Sequence, residues 1–256
     1  MAIYDKPVRF LMKDMVNAFD LQRGQSFVRQ QAIEWFAQHY PKVKKGTITA
    51  HLIRLSVNAP SRLHYTPKPG EDDLFFQIDS NHFRLYDAQQ DPQPLHGVMG
   101  ITRLQNPENL EEEMDLRPSG EFAYESDLRD YLARNLHVIE PGLKPYEEEG
   151  ITGVEFPAGG RFIDILALDS KGDFVVIELK VSKGYDRVIG QLLRYMAWIQ
   201  QNQAESGQKV RGIIIAREIS EDLMLACSLM PNIELFEYEL SLSLQQVYPV
   251  SCNTAS

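Results

Sequence analysis

The sequence has few of the features by which several common protein classes are recognised. Its two cysteines, Cys227 and Cys252, are too few for a disulfide framework or a cysteine-based metal site, which fits a reducing cytoplasm. No apolar run approaches the ~20 residues that cross a membrane, so we expect no membrane partner. The absence of a Gly-Lys dipeptide excludes a P-loop, and the absence of HExxH and Gly-x-Ser-x-Gly excludes the peptidases and hydrolases that carry those motifs.

Charge is distributed unevenly along the chain. The net charge of −10 over 256 residues, taken alone, argues against nucleic acid as a partner. Residues 1–70, however, hold 11 Lys and Arg against 4 Asp and Glu, a net of +7, and the remainder carries −17. This asymmetry predicts a basic binding module joined to an acidic body, whose carboxylates either serve solubility or surround a cation.

The basic module shows the pattern of a small DNA-binding domain. Hydrophobic spacing predicts helices over about 27–40 and 47–58, followed by a hairpin that turns at residues 79–82. Helix, turn, helix and hairpin is the order of a winged helix, whose second helix commonly enters a DNA groove. A small α+β domain with a solvated basic face is the alternative. The candidate nucleic-acid-binding residues here are Lys42, Lys44, Lys45, His51, Arg54 and Arg62.

The chain divides into three predicted parts. Residues 1–90 form the winged-helix-like α+β domain, and residues 91–118, which contain several prolines and an acidic run, form a linker. Residues 119–256 show a helix, three strands, a long helix, a strand, a helix and a strand, which predicts an α/β domain.

Acidic residues interrupt the apolar elements of this α/β domain. The stretch FVVIELKV at residues 174–181 reads as a buried strand, and Glu178 and Lys180 lie on one of its faces. Burying an unpaired charge costs several kcal/mol, so these side chains must pair, reach solvent or serve chemistry. Asp164 interrupts the preceding strand, and Glu125 lies at the border of the apolar stripe of the first helix. Each has an ordinary explanation, such as an exposed ion pair at a strand end.

Taken together, the three acids point to a cation site. Adjacent strands lie about 5 Å apart, so their carboxylates can bridge one ion. Carboxylate oxygens favour Mg²⁺ or Mn²⁺, which bind phosphate oxygens and activate water, and a nearby lysine can orient that water.

The spacing of these residues resembles that of a known nuclease family. Asp164, thirteen intervening residues and then Glu178-Leu-Lys180 resemble the core of the PD-(D/E)XK superfamily, with Ile163 at the position of its proline. The stretch GRFIDILALDSKGDFVVIELK followed by GQLLRYMAWI resembles the C-terminal catalytic domain of the NucS/EndoMS endonucleases over about residues 119–240. The resemblance implies a restriction-endonuclease-like mixed sheet flanked by helices.

The resemblance also implies roles for six residues. Glu125, Asp164 and Glu178 would bind metal, and Lys180 would help to activate water. Gln191 and Tyr195, four apart on one helical face, would support the site or the scissile strand. Arg187 and Arg194 on the same helix are further candidate DNA contacts.

We therefore predict a cytoplasmic, Mg²⁺- or Mn²⁺-dependent DNA endonuclease of repair, restriction or defence type. The alternative is a DNA-binding regulator or adaptor with a catalytically inactive nuclease-like domain. The N-terminal region does not resemble the β-rich N-terminal domain of NucS proteins, so the substrate structure and a homodimeric state stay open.

Overall fold

The computed structural model describes residues 4–96, 119–180, 185–239 and residue 245. The linker predicted over residues 91–118 falls outside the described residues from residue 97 onward. Within the described residues, no helix is long and apolar enough to cross a membrane.

The N-terminal part contains three helices and a small antiparallel sheet. The strand order is β1-β3-β2. The elements are α1 (Val8–Ala18), β1 (Ser26–Val28), α2 (Arg29–His39), α3 (Lys45–Arg54), a 3-10 turn (Pro60–Tyr65), β2 (Phe75–Gln77) and β3 (His82–Leu85). The two predicted helices are α2 and α3, and the predicted hairpin is β2–β3. Helix α1 and strand β1 were not predicted, although α1 buries Val8, Leu11, Met12 and Met15 at regular helical spacing.

The C-terminal part is a mixed sheet with helices on both sides, as predicted. Its elements are α4 (Ser119–Arg134), β4 (Lys144–Pro145), β5 (Glu147–Glu148), β6 (Ile151–Thr152), β7 (Val154–Ala158), β8 (Arg161–Leu168), β9 (Phe174–Lys180), α5 (Tyr185–Asn202), β10 (Val210–Ala216), α6 (Glu221–Cys227) and β11 (Ile233–Glu237). The sheet order is β11-β10-β9-β8-β4, and β7 also pairs with β8. Strands β9, β10 and β11 are parallel, whereas β8 is antiparallel to β9.

Strand β9 lies at the centre of this sheet and is covered on both faces. Phe174 and Val176 join the apolar cluster that includes Leu192 of α5, whereas Val175 joins the cluster that includes Leu128 of α4. The alternation of side chains along the strand therefore explains why its apolar residues fill both faces. The even-numbered face continues into Glu178 and Lys180.

Helix α3 packs against the C-terminal part of the chain instead of standing on the surface. Every residue from Gly46 to Arg54 is buried, and Ala50 and Ile53 share one apolar cluster with Phe156 of β7. The approach is so close that a Cβ atom at residue 46 would lie 2.8 Å from Phe156 Cζ, which requires glycine there. The order of a winged helix is present, but its second helix is not available to a DNA groove in this structure.

Three of the predicted DNA contacts are corrected by their burial. His51 is fully buried and hydrogen-bonded through Nδ1 to Thr47 O, and burial lowers its pKa to about 4. Arg54 lies 3.1 Å from Asp72 and is 7% exposed. A side chain without access to solvent cannot contact a phosphate, so His51 and Arg54 hold the fold together instead.

Arg62 belongs with them, whereas the lysines of the preceding turn differ. Arg62 is 0% exposed and donates from Nη2 to Asp73 at 2.8 Å. Lys42 and Lys45 are exposed, and Lys44 is half-buried with Nζ 3.3 Å from Glu205. Of the residues predicted to bind DNA in this region, only the exposed Lys42 and Lys45 can readily contact a phosphate.

Candidate active site

The sheet splits at the point where the predicted catalytic acids meet. Strand β8 pairs with β9 only from Ile165 onward, where Ile165 lies opposite Ile177. Continuing this register by one step would set Asp164 opposite Glu178, but the pairing with β9 ends here, and β8 continues towards Arg161 paired with β7. At Glu178 and Lys180, β9 therefore pairs with β10 along one edge, while the edge that faces β8 is unpaired with β8.

Asp164 is anchored by a backbone donor at this split. Its Oδ2 accepts a hydrogen bond from the Leu179 amide at 2.9 Å, in place of the ladder bond that the split removes. Burial raises the pKa of Asp164 to about 7, and the charges of Glu125 and Glu155 act in the same direction. The Leu179 N–H and the Arg129 guanidinium act in the opposite direction. A carboxyl with this pKa is ready to ionise when a cation arrives.

Glu178 is more deeply buried and only half satisfied. It is 3% exposed, and its Oε2 accepts a hydrogen bond from Gln191 Nε2 at 2.9 Å. Its Oε1 is buried without a hydrogen-bond partner in the described part of the chain. Burial, then repulsion from Asp164, raise the pKa of Glu178 well above its ordinary value, and the backbone N–H of Asp164 and the charge of Lys180 offset this in part. Two acids so placed repel each other unless a proton or a cation intervenes.

Helix α5 contributes the supporting residues predicted from the Gln-x-x-x-Tyr element. Gln191 Nε2 lies 3.4 Å from the Tyr195 hydroxyl, so one amide links Glu178 to the tyrosine. Burial, together with the charge of Glu178, raises the pKa of Tyr195 to about 12. The tyrosine therefore remains a protonated donor. Arg194 lies over its ring at 5.0 Å, and both Arg194 and Arg187 are exposed.

Glu125 and Lys180 are the two remaining residues of the predicted site, and their charges act on Asp164 and Glu178. Glu125, half-buried on α4, raises the pKa of both Asp164 and Glu178. Lys180, half-buried at the end of β9, lowers the pKa of Glu178. Among the described residues, no group of three His, Cys, Asp or Glu side chains already converges on one metal position. The structure thus brings the six residues together as a neighbourhood in which two carboxylates are in register.

The donors present fit a hard cation. An unpartnered, buried carboxylate oxygen on Glu178 and the facing Asp164 offer the ligand atoms that Mg²⁺ and Mn²⁺ prefer. These ions keep several waters and bind phosphate oxygens, so two protein carboxylates are enough to begin a site. Glu125 is the residue placed to join them.

A second charged cluster lies beside these acids, and no sequence pattern indicates it. Glu155 on β7 accepts a hydrogen bond from Arg129 Nη1 at 2.6 Å and another from Ser61 Oγ at 2.6 Å. The spacing of Arg129, four residues after Glu125, predicts at most an ion pair between these two on the helix surface. The partners of Arg129 that the structure describes are Glu155 of β7, 2.6 Å from Nη1, and the adjacent Asp130, 3.6 Å from Nε. Only the three-dimensional pairing of β7 with β8 brings Glu155 next to Asp164.

The C-terminal part of the chain matches a known nuclease domain. Residues 124–237 match the family model described as the endonuclease NucS C-terminal domain. Residues 7–85 match a domain of unknown function, DUF7669. The resemblance to the NucS catalytic domain is therefore confirmed for this segment.

Curated relatives agree with this assignment over part of their length. The endonuclease NucS of Sulfolobus acidocaldarius is 35% identical over 119 residues, which is 45% of this chain and 42% of that protein. The endonuclease NucS of Methanocaldococcus jannaschii is 28% identical over 156 residues, which is 60% of this chain and 54% of that protein. The chain thus spans about half the length of these relatives.

Two solved structures are similar to part of this chain. A repair endonuclease from Pyrococcus abyssi is 27% identical, with 50% of this chain and 49% of that chain covered and a TM-score of 0.37. An EndoMS chain in complex with double-stranded DNA is 26% identical, with 52% of this chain and 51% of that chain covered and a TM-score of 0.38.

Proposed function

We propose that this chain is a metal-dependent DNA endonuclease that hydrolyses phosphodiester bonds at the split between β8 and β9. The observation that carries the proposal is the pair of neighbouring acids, half-buried Asp164 and Glu178 at 3% exposed, with Oε1 of Glu178 unpartnered within the described residues. The pair lies in a segment that matches the NucS C-terminal domain. The two carboxylates repel each other, and the nearby charges of Arg129 and Lys180 offset this only in part, so a bound cation would account for their placement.

The chain's own residues supply orientation, charge and a proton acceptor. Gln191 holds Glu178 through Oε2, and the Leu179 amide holds Asp164 through Oδ2, so the other oxygen of each carboxylate is left for ligation. Mg²⁺ or Mn²⁺ bound there would neutralise the charge that develops on the phosphate and make water more acidic. Lys180, on the same face as Glu178, orients the attacking water or accepts its proton. Water adds across one P–O ester bond, which leaves a phosphate end and a hydroxyl end.

DNA is the proposed partner on the basis of charge as well as similarity. Arg187, Gln191 and Arg194 are spaced by four and three residues, so the two exposed arginines lie along the side of α5 that reaches the site. The exposed Lys42 and Lys45 are further candidates for phosphate contacts. The cytoplasmic location and the homodimer considered above belong to this proposal and rest on the sequence alone.

The competing function is that of a DNA-binding adaptor with an inactive nuclease-like domain. A domain without activity would have no functional reason to retain an acid pair that lowers its stability. The complete set of Glu125, Asp164, Glu178 and Lys180, with Gln191 and Tyr195 in contact behind it, favours the enzyme.

A cleavage assay separates the two. Purified protein is incubated with single-stranded, duplex, branched and mismatched DNA, in Mg²⁺, in Mn²⁺ and in chelator. We expect cleavage of at least one substrate that requires the metal, and a decrease in its rate by at least about a hundredfold in Lys180→Ala and Asp164→Asn. Removing one stabilising group from an active site commonly has an effect of this size.

DNA binding in chelator is the control for both variants, and we expect the affinity of each to remain within about threefold of wild type. A tenfold change in affinity would correspond to ~1.4 kcal/mol of binding free energy. If no substrate is cleaved under any condition, the adaptor function replaces the enzyme. A fully active Lys180→Ala protein would instead show that the Glu-x-Lys match is accidental.

A further inference from the structure

Glu155 lies beside the proposed catalytic pair without belonging to the motif. In the antiparallel pairing of β7 with β8, Val154 lies opposite Ile165 and Phe156 opposite Ile163, so the intervening Glu155 falls at the level of Asp164. Asp164 therefore has an acidic residue on each neighbouring strand. The backbone of Glu155 has φ of 46°, in the left-handed region that residues other than glycine rarely adopt. Such a conformation persists only where the surrounding contacts fix it.

The contacts that fix Glu155 come from two distant parts of the chain. Its Oε1 accepts a hydrogen bond from Arg129 Nη1 at 2.6 Å. Its Oε2 accepts one from Ser61 Oγ at 2.6 Å and lies 3.2 Å from His64 Nε2, and its backbone carbonyl accepts one from the Tyr65 hydroxyl at 3.2 Å. Burial alone would raise the pKa of Glu155, but His64, Arg129 and Ser61 together lower it to about 2. Glu155 is thus a permanent anion engaged by other groups, unlike Asp164.

Arg129 connects this anion to the helix that carries Glu125. It is 6% exposed and lies one helical turn after Glu125 on α4. A buried charge-assisted bond at this point fixes how α4 is rotated against the sheet, and residues four apart share a helical face. The position of Glu125 relative to Asp164 therefore depends on the Arg129–Glu155 bond.

The other half of the contact set belongs to the N-terminal part. Ser61 and His64 lie in the 3-10 turn that follows α3, within the segment that matches the domain of unknown function. They hold the side of Glu155 that Arg129 does not. The N-terminal part therefore touches a residue of the neighbouring strand whose charge acts on Asp164 of the proposed active site.

We propose that Arg129 and Glu155 are positioning residues that hold Glu125 in place beside Asp164 and Glu178, and that Ser61 and His64 complete this arrangement. This inference rests on the proposed function of the same site. It assigns the N-terminal part a role in assembling the catalytic centre, in addition to any contact with DNA.

The test compares two variants of this cluster with a matched control. Glu155→Gln keeps the size of the side chain and an acceptor oxygen but removes the charge that holds Arg129. Ser61→Ala removes one N-terminal contact. The control, Thr47→Val, removes a partly buried hydrogen bond from Thr47 to Glu148 across the same interface, away from the cluster around Arg129. Single-turnover cleavage at saturating DNA, the Mn²⁺ concentration for half-maximal rate and DNA binding in chelator are measured for each.

The sign of the Mn²⁺ effect distinguishes positioning from simple electrostatics. If Glu155 acted only through its charge, its removal would make Asp164 easier to ionise and would lower the Mn²⁺ requirement. If it holds Arg129, its removal frees a buried guanidinium that turns to Asp164 and competes with the cation. We expect Glu155→Gln to raise the half-maximal Mn²⁺ concentration at least fivefold and Ser61→Ala to raise it less, with DNA binding unchanged and Thr47→Val like wild type. A lowered requirement, or equal effects in the control, overturns the inference.

A second measurement keeps this result separate from the proposed function. The rise in melting temperature with Mn²⁺ reports cation binding without any cleavage. If wild type cleaves no DNA, the proposed function fails, and the Mn²⁺ concentration at half of the melting shift still tests the cluster, with the same expected order of variants. If Mn²⁺ changes neither cleavage nor melting of wild type, both the function and the inference are wrong.

Discussion

At the scale of single residues, the acids of the β8–β9 split are in an environment that penalises their charge. Burial raises the pKa of Asp164 from 3.8 to about 7, and Glu178 shifts in the same direction for the same reason. Between pH 4 and 7 the folded protein therefore holds protons that the unfolded chain has released. The contribution of these two acids to stability should fall as pH rises through this window, because the folded state must then bury charge, whereas His51, whose pKa is lowered to about 4, contributes in the opposite direction.

The Asp164→Asn variant tests this account. Asparagine is close in size to aspartate but does not ionise, so without metal we expect the variant to melt at or above wild type near pH 7. Between pH 4 and 7 the melting temperature of wild type should fall relative to that of the variant, since both proteins share the opposing contribution of His51. Added Mn²⁺ should raise the melting temperature of wild type and have little effect on the variant. Equal melting curves with and without Mn²⁺ for both proteins would show that these charges do not form a cation site.

The residues of this site differ in how far the sequence could predict them. Asp164, Glu178 and Lys180 were predictable because each breaks an apolar strand, where a charge needs a reason. Glu155 was not predictable, because a glutamate near the end of a short strand is ordinarily a solvated residue. Its burial depends on Ser61 and Arg129, which are far from it in the chain, and no local pattern encodes such a contact.

At the scale of elements, α3 shows how a correct helix prediction can lead to a wrong surface. The polar residues His51 and Arg54 lie on one side of the helix, which is the pattern of a helix that reads DNA. The same pattern serves a helix whose polar side binds protein groups, here Asp72 and the carbonyl oxygen of Gly150. Periodicity reports which side is polar but not which partner covers it. By contrast, β9 was predictable because a continuous apolar run bounded by a turn is typical of a strand buried on both faces.

Helix α5 is the element expected to contact DNA most directly. Arg187 and Arg194 are exposed on either side of Gln191, which contacts Glu178. Removing one phosphate contact lowers the slope of log affinity against log salt by about 0.9 on duplex DNA, because one fewer counterion is released on binding. We expect Arg187→Gln combined with Arg194→Gln to reduce this slope by nearly 2 and to weaken binding at low salt.

Two control variants locate the effect. Lys171→Gln removes an exposed lysine at the opposite end of β9 and should leave the slope unchanged. Arg54→Met should lower the melting temperature, because Asp72 loses its buried partner, without changing the slope. A slope that responds to Arg54 and ignores the arginines of α5 would contradict the placement of DNA along this helix.

At the scale of the whole molecule, the two parts of the chain are joined by apolar as well as charged contacts. Ala50, Ile53 and Tyr65 of the N-terminal part belong to the same buried cluster as Phe156 and Ile163 of the C-terminal part. Domains that fold independently have separate cores and polar interfaces between them. The boundaries predicted at residues 90 and 119 therefore describe the order of segments along the chain. In the folded protein, the two parts pack together around one shared apolar cluster.

This shared core predicts that the protein unfolds as one unit. Separating the two parts would expose the apolar surface of α3 and of β7 to water, at about 25 cal/mol for each Å² of apolar area. We expect a single calorimetric transition with equal calorimetric and van't Hoff enthalpies. Glu155→Gln should lower the temperature of that transition without splitting it, because Arg129 and Ser61 both lose a partner. Two separate transitions in wild type would mean that the two parts fold independently. Between the two transition temperatures the nuclease segment could then be folded without the N-terminal turn that contacts Glu155.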